Sequence, residues 1–471
     1  SLNPTLPKCI TLGWWNRYVL NRVALLAISF LLHNPSNGFA ESLTSNATIE
    51  PNSTIVVLGD SITYQAHFTE YLRSFFDTRY PAQPIRLINA GTPGHRVADG
   101  IARFSQDVAK WNPSLVMIMF GMNDGGYATL HSDNRFDDYK NNLKKLVELI
   151  RSINAEPIII SPTPFDFLTS QRRSNDASYR FRGKSFAADY DQTLLAYTKW
   201  SDQFAKHENL VFIDAHTSLN EHLHQKRSLN PAFTLMPDAI HPDPAGHLLL
   251  AHTILKSLGP TRKIVFDGLF KYNGAMWQTA HQGGQIRSVN GDTTTITFQI
   301  KLNSLPWKVP QKHTLQDLRW KNPPNAMTMV EHLQLSNDYN ASYLKIHGLE
   351  NGDYQIVCDG ILSGNFTQEA LARGVNLASH EDLPWSRKAT KVAELHRQLT
   401  DEIVRPMRNI AGQRFRVNRQ AIGDLARFDH QNQSMVDEFK KKQTDLLKRI
   451  RQVNQPEWHE IQITKIPFES E

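Results

Sequence analysis

The chain has 471 residues, 40% hydrophobic and 21% charged, which fits a globular protein of one sizeable domain with smaller attachments. Its net charge of +6 is unevenly placed: the segment 387–451 carries sixteen Lys/Arg against eight Asp/Glu, so the remainder is close to neutral. Two cysteines, Cys9 and Cys358, exclude a disulfide framework and a cysteine-built metal centre in a processed chain, and without aromatic interleaving or a docking motif the basic stretch does not make a nucleic-acid-binding protein.

In chain order the first feature is a targeting pattern. Arg17 and Arg22 flank the start of an apolar run over 23–32, Asn34-Pro35 follows, and Gly38-Phe39-Ala40 offers small residues where a signal peptidase inspects the chain. The run is short for a bilayer span, and no cysteine follows it to carry a lipid. This pattern predicts a signal peptide over 1–40 and a secreted or periplasmic protein.

From 52 to 258 short apolar runs alternate with helical patterns. The runs 55–58, 85–88, 115–120, 157–161 and 210–213 are nearly all apolar, as strands buried on both faces must be. Between the third and fourth, Tyr139, Leu143, Leu146, Val147 and Ile150 recur at helical spacing over 136–153. A last helix starts near Pro244-Ala245-Gly246 and runs to about Leu258. The predicted fold class is α/β, a three-layer flavodoxin-like parallel sheet over 41–260. The texture then changes to strand alternation, with Ile296, Phe298 and Ile300 on one face and Leu344/Ile346 and Tyr354/Ile356 repeating the pattern beside Asn-Gly-Asp turns. That predicts a small β-rich module over 261–380, followed by a basic helical C-terminal tail over 381–471. In the tail Val392, Leu395, Leu399 and Ile403 form one stripe, and Pro406 should end or kink the helix.

Four segments at predicted strand ends carry chemistry. The first strand runs into Gly59-Asp60-Ser61 and then a helix, which puts a hydroxyl at the carboxyl edge of the sheet beside helix N–H groups. Alone, this tripeptide reads rather as an ordinary helix cap. After the second strand, Asn89-Ala90-Gly91-Thr92-Pro93-Gly94 offers a backbone N–H at Gly94; after the third, Gly121-Met122-Asn123-Asp124 offers an amide. After the fifth, Asp238-Ala239-Ile240-His241 supplies an acid and an imidazole three positions apart. A nucleophile, oxyanion donors, a base and an orienting carboxylate on one rim are what acyl transfer requires.

These four blocks, in this order over about 200 residues, resemble the SGNH (GDSL-type) esterase/lipase superfamily. The resemblance implies the flavodoxin-like fold and a catalytic set of Ser61, Asp238 and His241, with an oxyanion hole from the N–H groups of Ser61 and Gly94 and the amide of Asn123. Gly94 rather than Gly91 takes that part because the family's second-block glycine lies five residues after the strand-ending Asn89. The segment from Tyr354 through Gly374-Val375-Asn376-Leu377-Ala378 resembles an extension found in secreted bacterial members. The implied activity is serine-dependent hydrolysis of acyl esters, short-chain or carbohydrate-linked acetyl esters foremost, through an acyl-enzyme on Ser61 and without metal or organic cofactor. Two alternatives use the same sequence: a catalytically degenerate glycan- or membrane-binding protein, and an acyltransferase.

The remaining polar residues read more plainly. Asp60 and Asp124 are expected to be structural, and His95 to be a surface histidine. His216, His222 and His224 lack metal-ligand spacing; His247 and His252 on the last helix should be partly buried or solvated. The insertion 163–194, with Arg172, Arg173, Arg180 and Arg182, should form part of the rim. Asn-x-Ser/Thr acceptors stand at Asn46, Asn52, Asn340, Asn365 and Asn432. The run Lys440-Lys441-Lys442 is expected to be a solvated helical face, with weak contact to an anionic polymer or membrane surface as its further use. The expected partner is an acylated carbohydrate or lipid substrate.

Overall fold

The computed structural model describes residues 49–259, 264–310, 326–420 and 425–467. The predicted signal segment with Cys9, the acceptor Asn46 and the boundary expected at 260/261 lie outside the described residues. Residues 45–471 form one compact unit.

Five parallel strands make the first sheet: β1 (Thr54–Gly59), β2 (Arg86–Gly91), β3 (Leu115–Met119), β4 (Glu156–Ile160) and β5 (Val211–Ile213), in the order β2-β1-β3-β4-β5. This is the flavodoxin-like order, with its switch point at β1, the strand flanked by β2 and β3. Because side chains alternate along a strand, Ile55, Val57, Met117 and Ile158 face one layer while Val56, Leu58, Val116 and Ile159 face the other; all are buried. The helices that position the site are α1 (Ser61–Gln65), α2 (His67–Arg79), α3 (Val97–Ala102), α4 (Arg135–Ser152), α5 (Tyr190–His207), α6 (Ala215–Leu229) and α7 (Pro244–Leu258). On one face, α2 and α7 supply Phe68, Tyr71, Leu72, Leu248 and Leu250 to the core; on the other, α4 supplies Tyr139, Leu143, Leu146, Val147 and Ile150. The stripe expected on α4 from its spacing is therefore its buried face.

The second half contains two further sheets. Strands β6 (Ile264–Tyr272), β7 (Trp277–Gln282), β10 (Ala341–His347) and β13 (Val375–Asn376) form one, in the order β13-β10-β6-β7. The other has the order β12-β11-β14-β9-β8, from β8 (Gly284–Gly291), β9 (Thr295–Leu302), β11 (Asp353–Cys358), β12 (Ile361–Thr367) and β14 (His459–Lys465). The predicted alternations are realised: Ile296, Phe298, Ile300, Leu344, Ile346, Tyr354 and Ile356 share one buried core.

The C-terminal segment does form helices, α8 (Pro384–Leu399), α9 (Arg405–Gln420) and α10 (Leu425–Val453), but it ends in β14, which reading it as wholly helical misses. This strand is the middle of its sheet: Ile461 pairs with Phe298 on one side and Cys358 on the other. Val392, Leu395, Leu399 and Ile403 are buried in the second core as their spacing predicts. Pro406 does not end the helix: α8 runs through a π-turn over Thr400–Val404 directly into α9, where the proline is the second residue.

Helix α2 joins the two halves. The indole N–H of Trp307 donates to the Tyr71 carbonyl at 3.1 Å, and the buried guanidinium of Arg79 donates to the Leu305 carbonyl and to Asn340 Oδ1. Asn340, one of the Asn-x-Ser/Thr positions, is thus buried and hydrogen-bonded to Arg79 and Trp307.

Candidate active site

Strand β1 ends at Gly59, and Asp60 caps α1: its Oδ1 accepts the Ile62 N–H at 2.9 Å. The cap places Ser61 as the first residue of α1, at the carboxyl edge of the sheet. A Cβ on Gly91 would stand 2.2 Å from the Tyr64 nitrogen, so only glycine lets β2 end this close to α1. Asn89 ties the same elements, donating from Nδ2 to the Thr63 carbonyl at 2.6 Å.

From the far side of the sequence, Asp238–His241 folds into a tight turn with Ala239 at φ 71°, a left-handed conformation held by full burial of its side chain. The turn lets one carboxylate serve three donors. Asp238 Oδ1 accepts the N–H of Ile240 (3.1 Å) and of His241 (2.8 Å), while Oδ2 lies 2.8 Å from His241 Nδ1. The other ring nitrogen, Nε2, lies 2.8 Å from Ser61 Oγ. Loops 180 positions apart therefore converge on one hydroxyl.

Burial alone would raise Asp238, but His241 and the two backbone N–H groups outweigh it and hold the carboxyl at about 2. A permanently ionised carboxylate fixes the ring with its proton on Nδ1, which leaves Nε2 as an acceptor for the serine proton.

The other predicted residues come to the same rim. Gly94 stands in the loop after β2 at φ +77°, exposed, with nothing near the position of a Cβ. Asn123 Nδ2 donates to the His95 carbonyl at 3.1 Å and makes a long 3.4 Å contact with Asp60 Oδ2. Among the described residues, neither the Ser61 nor the Gly94 N–H donates to a protein acceptor. Asp124 ties two strand ends, its Oδ1 accepting from Val97 N and its Oδ2 from Gly121 N, as expected of a structural carboxyl. Burial pushes Asp60 up to about 6 and Asp124 up to about 7, against the N–H groups that favour their ionised forms.

Several readings are corrected. His95 is not a surface histidine: it is buried between Arg103, whose Nε lies 3.2 Å from its Nδ1, and the Phe415 ring at 4.9 Å. Burial and Arg103 lower it to about 4, so it is neutral at physiological pH. His247 is fully buried, bonded to Gln65 Oε1 at 2.9 Å and stacked on Phe68. His216 pairs with Asp191 and His222 with His332, while His224 is exposed, so the three do not converge. Within the insertion 163–194, Tyr179 Oη donates to the Asp238 carbonyl and Arg173 to the Pro237 carbonyl, which seats this segment on the Asp238–His241 turn.

Residues 57–249 match the sequence model of the GDSL-like lipase/acylhydrolase family. The chain is also 30% identical over 200 residues to an acetylxylan esterase of Geobacillus stearothermophilus, across 41% of this chain and 80% of the relative. The chain belongs to the GDSL-like lipase/acylhydrolase family. It is a carboxylic ester hydrolase with an SGNH fold. The structure of a gut microbial diltiazem-metabolizing enzyme has the same fold at a TM-score of 0.75 and 21% identity, covering 89% of this chain and 99% of that one. That likeness extends past the family-matched region into the sheets and helices of the second half.

Sequence reasoning missed Tyr127, which is close to Asn123 in the chain, and two arginines that reach the GDSL site from far away. Tyr127, at φ 61°, brings its hydroxyl within 3.4 Å of Asn123 Oδ1. Arg405 donates to the Gln65 carbonyl at the end of α1, and Arg408 to the Gly91 carbonyl. No spacing signal connects positions more than 300 residues apart, and a run of arginines on a polar helix reads as a solvated face.

Proposed function

We propose that this enzyme hydrolyses short acyl esters, acetyl groups on carbohydrate foremost, through an acyl-enzyme on Ser61. The observation that carries the reading is the 2.8 Å approach of His241 Nε2 to Ser61 Oγ, with Asp238 on the opposite ring nitrogen. His241 takes the serine proton as Oγ attacks the acyl carbonyl, and Asp238 stabilises the imidazolium. The oxyanion is met by the N–H groups of Ser61 and Gly94 and by Asn123 Nδ2, which turns from its weak contact with Asp60. His241 then returns the proton to the leaving alcohol, and a water activated by the same ring releases the acid. The acetyl preference is supported by the relative at 30% identity, named an acetylxylan esterase. Export is part of the proposal, on the pattern of Arg17, Arg22, the apolar run and Ala40.

The test is a panel of p-nitrophenyl esters from acetyl to dodecanoyl together with acetylated xylooligosaccharides, run on wild type and Ser61→Ala. Turnover should be highest on the acetyl esters and fall by about 10⁴ or more in the variant. A fluorophosphonate should add one label to wild type, mapped to Ser61, and none to the variant. Undiminished turnover in folded Ser61→Ala would sink the mechanism, and a maximum at long acyl chains would sink the substrate class.

A further inference from the structure

The oxyanion loop is braced by a helix from the other end of the chain. Along α9, residues 408, 412, 415 and 419 recur at helical spacing and share one face. This face lies along the segment 91–99. Arg408 donates from Nε to the Gly91 carbonyl at 2.9 Å and from Nη2 to Thr92 Oγ1 at 2.8 Å. At Gly412 a Cβ would already stand 3.3 Å from the Thr92 methyl. Phe415 packs on the His95 ring at 4.9 Å, and Arg419 pairs with Asp99 in the first turn of α3. The contacts fall on both sides of Gly94, on Gly91 and Thr92 before it and on His95 after it.

Arg408 is also locked from behind. It is buried, and its Nη1 and Nη2 lie 3.1 and 2.8 Å from the two oxygens of Asp107. Asp107 in turn holds Arg103 at 2.7 Å, and Arg103 donates to the carbonyls of Gly59 (2.8 Å) and Ala90 (2.7 Å). Two guanidinium groups, held by one carboxylate between them, thereby satisfy the carbonyls at the ends of β1 and β2. Thr92 N–H donates to the Gly59 carbonyl as well, so the loop is fixed against the strand that leads to Ser61. Against this, the Gly94 side of the loop is exposed and unbraced by any Cβ contact. Gly94 is carried in a turn closed by the His95 N–H on the Thr92 carbonyl at 3.4 Å, so its N–H points where the held Thr92 and His95 aim it.

We propose that Arg408 is a positioning residue of the ester hydrolase: with Phe415 it holds the loop 91–95 so that the Gly94 N–H and, through the His95 carbonyl, the Asn123 amide meet the oxyanion. The inference rests on the oxyanion assignment above. Its signature follows from the chemistry, because a donor aimed at the transition state affects kcat and not ground-state binding.

The variants are Arg408→Met, which keeps much of the stem and removes five donors, Arg408→Lys, which keeps charge but cannot bridge Gly91, Thr92 and Asp107 together, and Phe415→Ala. Each is assayed on p-nitrophenyl acetate and with an alkylboronic acid that mimics the tetrahedral adduct, beside wild type and Ser61→Ala. Displacing one donor by about 1 Å should lower kcat by roughly 10- to 100-fold, with KM changed less than about threefold. Boronate affinity should fall by the same factor as kcat, with Arg408→Lys between Arg408→Met and wild type. Should Arg408→Met not fold, Arg408→Lys and Phe415→Ala give the same readout. Folded variants with kcat and boronate affinity at the wild-type level, or a loss confined to KM, would overturn the proposal. Ser61→Ala separates the two failures: if it stays active the serine assignment itself is wrong, and if it is inactive while the α9 variants are not, only the role of Arg408 falls.

Discussion

Replacing Asp238 by Asn tests the arrangement at the point where one atom decides the outcome. The carboxylate receives two backbone N–H groups on Oδ1 and the ring Nδ1–H on Oδ2. An asparagine can take two orientations. With its oxygen toward the backbone it keeps both main-chain bonds and turns its NH₂ toward Nδ1. With its oxygen toward the ring it sets the NH₂ against two buried N–H donors, at a cost of about 1–3 kcal/mol each. The first orientation wins, and it forces the ring proton from Nδ1 to Nε2, so that His241 faces Ser61 as a donor and cannot accept its proton. The backbone turn survives, but kcat should fall by about 10⁴, the size expected when an imidazole is held in the wrong tautomer. Stability should fall too. With the folded carboxyl at about 2 and its ordinary value at 3.8, the ionised group contributes roughly 2–3 kcal/mol, present above pH 4 and lost as pH drops through 2. The same value means that Asp238 does not titrate between pH 4 and 8, so any acid limb of the wild-type profile in that range belongs to another group. The assay is initial-rate hydrolysis of p-nitrophenyl acetate from pH 4 to 9, with circular dichroism and urea unfolding as controls. A folded Asp238→Asn enzyme that kept a tenth or more of wild-type kcat would refute the reasoning.

Two further predictions concern the frame. Gly91→Ala pushes a Cβ into the backbone of Thr63 and Tyr64, so α1 must move; a loss of about 2–3 kcal/mol in urea unfolding is expected together with reduced turnover, and a wild-type melting temperature would count against it. Asp243 caps α7 through Gly246 N–H, yet burial pushes its carboxyl up to about 8, so the folded state holds a proton that the unfolded chain releases near pH 4. Wild-type stability is therefore eroded as pH rises from 4 to 8, and Asp243→Asn, which keeps the accepting oxygen without the charge, should gain on wild type by an amount growing over that range to a few kcal/mol. Unfolding curves at pH 5, 6.5 and 8 with a constant difference between the two proteins would contradict this.

The first half of the molecule was legible because its signals are local. Each strand of the first sheet is a short apolar run, Ser61, Gly94 and Asn123 lie within a few positions of a strand end while Asp238 and His241 come just before α7, and α4 declares its buried face by spacing alone. The convergence of His241 on Ser61 follows from topology: parallel strands deliver all their carboxyl ends to one edge, so a serine after β1 and a histidine before α7 meet without any special contact. His95 was misjudged for the opposite reason. Its neighbours in sequence, Gly94 and Arg96, are exposed, and it is buried between Arg103 and Phe415, the latter more than 300 positions away. Strand β14 was equally invisible: Ile461 and Ile463 are too few to announce a strand, and its partners β9 and β11 are about 160 and 100 positions earlier.

The basic C-terminal segment shows why charge counts alone mislead. A helix rich in arginine reads as solvated, because burying an unpaired cation is costly. But strand ends at the carboxyl edge of a parallel sheet present carbonyls that no neighbouring strand can satisfy, and a site built there needs donors for them. A planar guanidinium can serve a carbonyl, a hydroxyl and a carboxylate at once. Arg408 is used in this way at the end of β2 and Arg405 at the carbonyl that ends α1, while Lys440, Lys441 and Lys442 on α10 stay at the surface. The excess positive charge thus divides by geometry: the arginines facing the carboxyl edge are structural parts of the catalytic half, and the lysines beyond them stay at the surface, Lys440 and Lys442 beside Asp437 and Glu438. Since β14 locks the end of the same helical arm into the centre of a sheet, those arginines are held from both sides, by α8 packed on α2 and by the final strand. Deleting β14 should for this reason lower turnover at a site it does not touch.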